Sequence, residues 1–316
     1  MESRESLIAY ELAKQACLIA KDIQNQLIIG DEFQKFDKTP VTIADYAIQA
    51  MITKILRKSF PSDTIIAEET PDALAQPDNH RFLNNITNHL KPIFPEITKE
   101  EVIDLLGHSK KDIKGIDRYW VLDPIDGTKG FLRGEQYAIA LALVNNGETT
   151  MGILGCPNYE TDGSIYFTEK GHGSKVICLK DGSTQQLKMA ALSDTSKIVL
   201  CTSYESSHND AIKTNILLDK LKITANPIKS DGQGKYGLVA SGKAHLFLRI
   251  PKDNSYREKI WDHRAGELLV REAGGVVTDI HGRDLECKEG HSFRDSVGVL
   301  ACHPSLHEKI LASLMN

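Results

Sequence analysis

The run Asp123-Pro124-Ile125-Asp126-Gly127-Thr128 holds the densest chemistry in the chain. Pro124 keeps Asp123 out of helical geometry and carries no backbone donor, so Asp123 belongs at the end of a strand. The chain then turns, which brings Asp126 back to the side of Asp123 and leaves the carbonyl of Ile125 free to point with them. Gly127 permits close backbone approach, and the amides after it can meet an anion. Two carboxylates and a carbonyl so close together make an all-oxygen site, suited to magnesium rather than zinc. Asp-Pro and Asp-Gly are also ordinary turn dipeptides, so the run gains weight from whatever else can converge on it.

Three other acidic features can converge. Glu68-Glu69 closes an apolar run, Asp262 follows Trp261 just before a helical pattern ending in Glu272-Ala273-Gly274-Gly275, and Asp45 closes Thr42-Ile43-Ala44-Asp45. Each has a plain explanation when taken alone: a solvated strand edge, a helix N-cap, a first-turn helix acid. Separate excuses for every one of them make a poor joint account. A pocket that gathers carboxylates from distant segments is tolerable when bound metal offsets their repulsion.

The elements that must position these groups follow from periodicity. Ile8, Leu12, Ala16, Ile19, Ile23 and Leu27 recur every three to four residues and predict a helix over Glu5–Leu27; a second runs from Thr42 to Phe60. Thr64–Ala67 reads as a buried strand that delivers Glu68 and Glu69, and Tyr119–Leu122 as the strand that delivers Asp123. Between them, residues 71–117 are polar, with weak helical patterns near Arg81–Leu90 and Lys99–Leu106, and read as a mobile insert. Asn145-Asn146-Gly147 marks a hairpin between Tyr137–Val144 and Thr150–Leu154. Beyond Gly182 strand and helix patterns alternate. An α+β half over 1–170 and an α/β half over 171–316, sharing one body, are expected.

Composition excludes several classes. Lys and Arg number 38 against 43 Asp and Glu, a net charge of -5, so nothing pulls the chain as a whole toward nucleic acid or an anionic membrane. Basic residues adjoin only in short pairs such as Arg57-Lys58 and Lys110-Lys111. No apolar run approaches bilayer length, and the six cysteines have no metal-site spacing. A cytoplasmic monomer with reduced thiols is expected.

The runs WVLDPIDGTKGF and WDHRAGELLVREAGG, with Glu68 in AEE and Asp45 in TIAD, resemble the paired signatures of the inositol-monophosphatase superfamily. The resemblance extends from about Thr39 to Gly275 and implies an αβαβα layered sandwich of the inositol-monophosphatase and sugar-phosphatase type. KTPVTIADYAIQA, RYWVLDPIDGTKGFLRGEQYAIALAL and DGQGKYGLVASGKAHLFLRIP are similar to the bisphosphate nucleotidase branch. That branch converts adenosine 3′,5′-bisphosphate to AMP and phosphate, and many of its members also act on 3′-phosphoadenosine 5′-phosphosulfate, in sulfate assimilation. The nearest alternative within the superfamily is a phosphatase for inositol mono- or polyphosphates.

The resemblance implies two or three Mg²⁺ ions held by Glu68, Asp123, the Ile125 carbonyl, Asp126 and Asp262. It implies water activation by Asp45 and Thr128 through a mutual hydrogen bond. It places substrate against Gly127, Thr128, His208, Gly232, Lys235, Arg249 and Asp262, and it implies inhibition by Li⁺ and Na⁺. In two places the chain departs from the branch pattern: Gly232 stands where a serine is usual, and Glu205 stands where a histidine is usual.

Overall fold

A computed structural model describes residues 3–26, 32–34, 40–74, 79–192, 194–205, 209–253 and 255–315. Helix α1 (Arg4–Asn25) starts at Ser3, whose hydroxyl accepts from the Ser6 amide. Its stripe of Ala9, Leu12, Ala13, Ala16, Ala20 and Ile23 is buried, as the periodicity predicts; Leu27, expected inside it, lies outside the described residues. A short ribbon of β1 (Glu32–Gln34) and β2 (Pro40–Thr42) leads into α2 (Ile43–Ser59), which is buried from Ile43 through Thr53 and exposes Arg57 and Lys58 near its end. Strand β3 (Thr64–Ala67) falls where it was expected.

The insert is not a loose flap. Its helices α3 (His80–Leu90) and α4 (Lys99–Gly107) place Leu83, Ile86, Leu90, Val102, Leu105 and Leu106 in the same core as α1 and α2. The Asn- and Lys-rich composition masked a correctly spaced apolar face.

Strand β4 (Arg118–Asp126) is followed by the single-turn helix α5 (Thr128–Leu132) and four strands: β5 (Ala138–Asn145), β6 (Glu148–Cys156), β7 (Ser164–Glu169) and β8 (Ser174–Cys178). Asn146 and Gly147, both at positive φ, close the β5–β6 hairpin as the sequence predicts. A further strand, β9 (Thr184–Leu187), completes a sheet ordered β3-β4-β5-β6-β7-β8-β9, so this sheet runs past the boundary expected at residue 170.

The remaining chain supplies β10 (Leu200–Thr202), α6 (Ala211–Lys220), β11 (Ile228–Lys229), α7 (Gly234–Ala240), β12 (Leu246–Arg249), α8 (Arg264–Glu272), β13 (Val276–Thr278), β14 (Val299–Cys302) and α9 (Pro304–Met315). Its strands order as β11-β10-β12-β14-β13.

Alternation along the strands builds the layers. On the first sheet Trp120, Leu122, Leu141, Leu143 and Ile153 face α1 and α2, while Tyr119, Val121, Ala140, Ala142 and Leu154 face α7 and α8. The second sheet sends Cys201, Phe247, Val277 and Ala301 into that same middle layer, and Leu200, Leu246, Leu248 and Leu300 against α6 and α9. The order is helix, sheet, helix, sheet, helix, the expected αβαβα sandwich. In the first sheet β3 and β4 run parallel while the later pairs are antiparallel. Strand β4 also meets the turn Ile260–Asp262, and the carboxyl ends of parallel strands are where open α/β sheets characteristically bind ligands.

Candidate active site

Each acidic group is delivered by a distinct local device. The Glu68 amide donates to the Leu122 carbonyl at 3.2 Å, which carries the β3–β4 ladder one step past the strand. Lys111 Nζ donates to the Glu68 carbonyl at 2.6 Å. Gln49 of α2 grips the next residue from both sides: the Glu69 amide donates to Gln49 Oε1 at 2.9 Å, and Gln49 Nε2 donates to the Glu69 carbonyl at 2.8 Å. The adjacent acids are thereby separated, with Glu68 lining the cavity and Glu69 buried.

Strand β4 extends beyond Leu122 through the whole Asp-Pro-Ile-Asp run, pairing Asp123 with Ala140 and Asp126 with Ala138 across a register shift. A bulge, rather than a turn away from the sheet, puts the two aspartates on one side. Gly127 then takes φ 97°.

Against this turn lies Gly232, at φ 67°. A Cβ there would fall 2.2 Å from the Asp126 carbonyl oxygen, so glycine at this position is dictated by the backbone it faces. Gly232→Ala is expected to cost at least about 2 kcal/mol of stability, from left-handed strain plus a backbone clash. It should also lower activity by displacing Asp126. Chemical denaturation checks the first and turnover the second, and a variant as stable and active as the parent would contradict the reading.

Asp262 ends the turn Ile260–Asp262 and is not the N-cap of α8, a place taken by His263. Gln233 braces this turn: its Nε2 donates to the Trp261 carbonyl at 2.7 Å, and its Oε1 accepts from the Gly266 amide at 3.1 Å. The Trp261 ring has Lys111 Nζ over it at 4.7 Å and the His291 ring stacked on it at 5.0 Å.

The carboxylates of Asp123, Asp126 and Asp262 offer oxygens that all lie within 4.8 Å of one another. Burial, then the charges of Glu68, Asp126, Asp262 and Asp45, push the Asp123 carboxyl well above its ordinary range. Asp262 is pushed up by burial and by Asp126 and Glu68, with Arg249 opposing. Asp126 is raised by burial, with Lys235 and His263 opposing. Asp123 therefore feels the charge of the other four acids, Glu68, Asp126, Asp262 and Asp45. Asp123 Oδ1 is buried with no hydrogen-bond partner among the described residues, an arrangement that costs free energy unless something positive meets it. An all-oxygen donor set with an orphaned carboxylate oxygen fits a hard divalent cation. The Ile125 carbonyl accepts from the Thr128 hydroxyl at 3.2 Å, so it too points into this corner.

The expected bond between Asp45 and Thr128 is not made in this structure. Asp45 Oδ2 accepts from the Thr42 amide at 2.8 Å and from the Thr42 hydroxyl at 2.7 Å in a capping box at the start of α2. The Thr128 hydroxyl instead folds back on the carbonyl three residues earlier, the nearest acceptor within its own tight turn.

A cavity of about 300 Å³ opens beside the acids, lined by Glu68, Asp126, Gly127, Thr128 and Asp262 and also by Lys235, Arg249 and Tyr256. Lys235 is buried; its Nζ donates to the Gly232 carbonyl at 2.7 Å, and burial pulls its pKa down against the attraction of Asp126. Arg249 lies over the Tyr256 ring at 5.4 Å. His208 lies outside the described residues. Glu205, at the cavity rim, is met by Lys129 at 3.0 Å and by Arg133 at 3.1 Å.

Sequence reasoning missed the support behind Arg249. The Arg249 guanidinium forms an ion pair with Glu258, Nε to Oε1 at 2.9 Å, Glu258 Oε2 meets His263 Nε2 at 3.0 Å, and His263 Nδ1 meets the Tyr236 hydroxyl at 2.7 Å. Tyr236, Glu258 and His263 are all buried. Only His263, adjoining Asp262, carried a local signal; Glu258 sits in a loop whose sequence says nothing of where it packs.

The family described as inositol monophosphatase matches residues 2–316. A 3′(2′),5′-bisphosphate nucleotidase from Dictyostelium discoideum is 35% identical, over 97% of this chain and 95% of that protein. One from Oryza sativa is 32% identical, over 98% and 92%. Among solved structures, an inositol monophosphatase from Thermotoga maritima superposes with a TM-score of 0.68 at 22% identity, covering 97% of this chain and 95% of that one. The suhB protein of Bartonella henselae gives 0.70 at 19%, covering 99% and 98%. At those identities the structures speak for the fold alone.

Proposed function

Because the chain belongs to the inositol monophosphatase family, we propose that it is a Mg²⁺-dependent phosphomonoesterase removing the 3′-phosphate of adenosine 3′,5′-bisphosphate to give AMP and phosphate, with 3′-phosphoadenosine 5′-phosphosulfate as a further substrate. The observation that carries the reading is the gathering of Asp123, Asp126 and Asp262 within 4.8 Å, beside a cavity also lined by Lys235 and Arg249. Near-full-length relatives that bear the nucleotidase name support the choice of substrate.

In this reading Glu68, Asp123, the Ile125 carbonyl, Asp126 and Asp262 hold two or three Mg²⁺ ions. Bound there, magnesium supplies charge neutralisation for the phosphate and a lowered pKa for water. The protein's own groups do the rest. The Thr128 hydroxyl, its proton on the Ile125 carbonyl, offers its lone pairs to a water O–H and so orients that water. Asp45 takes the water's proton as the new P–O bond forms. The bond to the 3′-oxygen breaks, and that oxygen is protonated from solvent. Amides at Gly127–Lys129 stabilise charge on the transferring phosphoryl group. Lys235 and Arg249 hold the remainder of the nucleotide, and the buried Tyr236–His263–Glu258 chain keeps Arg249 in place.

The test is phosphate release from adenosine 3′,5′-bisphosphate, 3′-phosphoadenosine 5′-phosphosulfate, inositol 1,4-bisphosphate and inositol 1-phosphate, with Mg²⁺ and with chelator. Magnesium-dependent release that favours the adenosine compounds is expected. Preference for the inositol phosphates would overturn the substrate assignment, and release indifferent to chelator would overturn the chemistry.

A further inference from the structure

The cavity rim carries an ion-pair arrangement that hydrolysis at the acidic cluster does not use. Glu205 presents one carboxylate oxygen to Lys129 Nζ at 3.0 Å and the other to Arg133 Nη1 at 3.1 Å. The arginine is held independently of Glu205. Its Nη2 donates to the buried Asp231, its Nε donates to Glu135 at 2.7 Å, and its guanidinium lies over the Tyr204 ring at 5.3 Å. Lys129 and Glu205 both line the cavity with Asp126, Gly127 and Thr128.

A carboxylate with one oxygen on each of two cations occupies them as two oxygens of a phosphate monoester would. The pair is reachable: the side chains of Lys129, Arg133 and Glu205 are 47%, 35% and 26% exposed. Partly exposed pairs of this kind are weakly held and exchange readily with another anion.

We propose that Glu205 is a specificity-determining residue, a carboxylate that occupies the Lys129–Arg133 cation pair until the second phosphate of a bisphosphate substrate displaces it. The inference rests on the phosphomonoesterase reading above and adds where the phosphate that is not cleaved is met. A substrate without that phosphate leaves Glu205 on its cations. One that carries it gains both cations but must expel a like charge, so the residue lowers the advantage a second phosphate would otherwise confer.

The test compares Glu205→Gln with the parent on substrate pairs that differ only in the second phosphate: adenosine 3′,5′-bisphosphate against adenosine 3′-monophosphate, and inositol 1,4-bisphosphate against inositol 1-phosphate. For the pair that is turned over, the ratio of kcat/KM for bisphosphate over monophosphate is expected to rise roughly three- to ten-fold, the size of one or two partly exposed ion pairs. In a Lys129→Ala background the rise should shrink. A ratio unchanged or lowered by Glu205→Gln overturns the proposal. If the parent hydrolyses neither pair, the functional reading fails by itself, and calorimetric binding of adenosine 3′,5′-bisphosphate and its 3′-monophosphate decides the role of Glu205. Selective tightening of the bisphosphate in the variant supports it; an equal change for both, or no binding, overturns it.

Discussion

Asp123→Asn is expected to abolish metal-dependent phosphate release and, in chelator, to make the protein more stable than its parent. Both effects follow from one carboxylate. Asp123 is 2% exposed, its Oδ1 has no hydrogen-bond partner among the described residues, and burial together with Glu68, Asp126, Asp262 and Asp45 raises its pKa well above the ordinary 3.8. An acid whose folded pKa is raised contributes stability that is fully present below its unfolded pKa and is lost as pH rises through the folded value. At neutral pH the metal-free fold therefore bears the cost of that ionisation, and a neutral amide of the same shape relieves it. The amide's N–H groups would face the acceptor oxygens of its acidic neighbours. The gain should be about 1–3 kcal/mol, the usual cost of an unsatisfied buried group. With chelator, the parent's stability should fall more steeply than the variant's as pH rises upward from 3.8. With saturating Mg²⁺ the order should reverse, because the parent alone keeps the full donor set. Turnover should drop at least roughly 10²–10³-fold, as when one electrostatic stabiliser of a transition state is removed. Thermal melts across pH, with and without metal, read the first effect and phosphate release the second. A variant that is less stable in chelator yet still active would refute both.

That such a site was legible at all reflects how its parts are encoded. Asp123, Ile125 and Asp126 are local: Pro124 and Gly127 force the geometry within a few residues, and the bulge between Asp123 and Asp126 merely replaces the expected turn. Glu68 and Asp262 were legible because each directly follows an apolar strand or precedes a helix whose burial fixes its place. Glu258 and Tyr236 were not, because their roles depend on which distant segment they meet. Gly232 looked like a missing serine in sequence and is a backbone requirement in space: its positive φ and its approach to Asp126 arise only when the two sheets are assembled. The insert erred the other way, since polar composition hid the apolar residues that seat α3 and α4 in the core. β9 exposes Thr184, Gln185 and Gln186 and buries only Leu187, so it carries no apolar alternation for a sequence reading to catch.

Asp45 presents the hardest separation of structure from chemistry, because it is also half of a capping box. Its Oδ2 accepts from the Thr42 amide and hydroxyl, an interaction worth about 0.5–2 kcal/mol to α2. Asp45→Ala removes the cap and the proposed base together. Asp45→Asn keeps an amide oxygen for Thr42 but cannot accept the water's proton as a carboxylate does. Both variants are therefore expected to lose at least roughly 10²-fold in kcat, while only Asp45→Ala loses the cap's stability. Asp45 does not line the proposed substrate cavity, so KM should move far less than kcat in either case, a pattern that marks a group acting in the transition state rather than in binding. Steady-state kinetics beside chemical denaturation on the two variants decide the matter. If Asp45→Asn turns over at the parental rate, Asp45 is a helix cap and no more, and the proton must leave the water by another route.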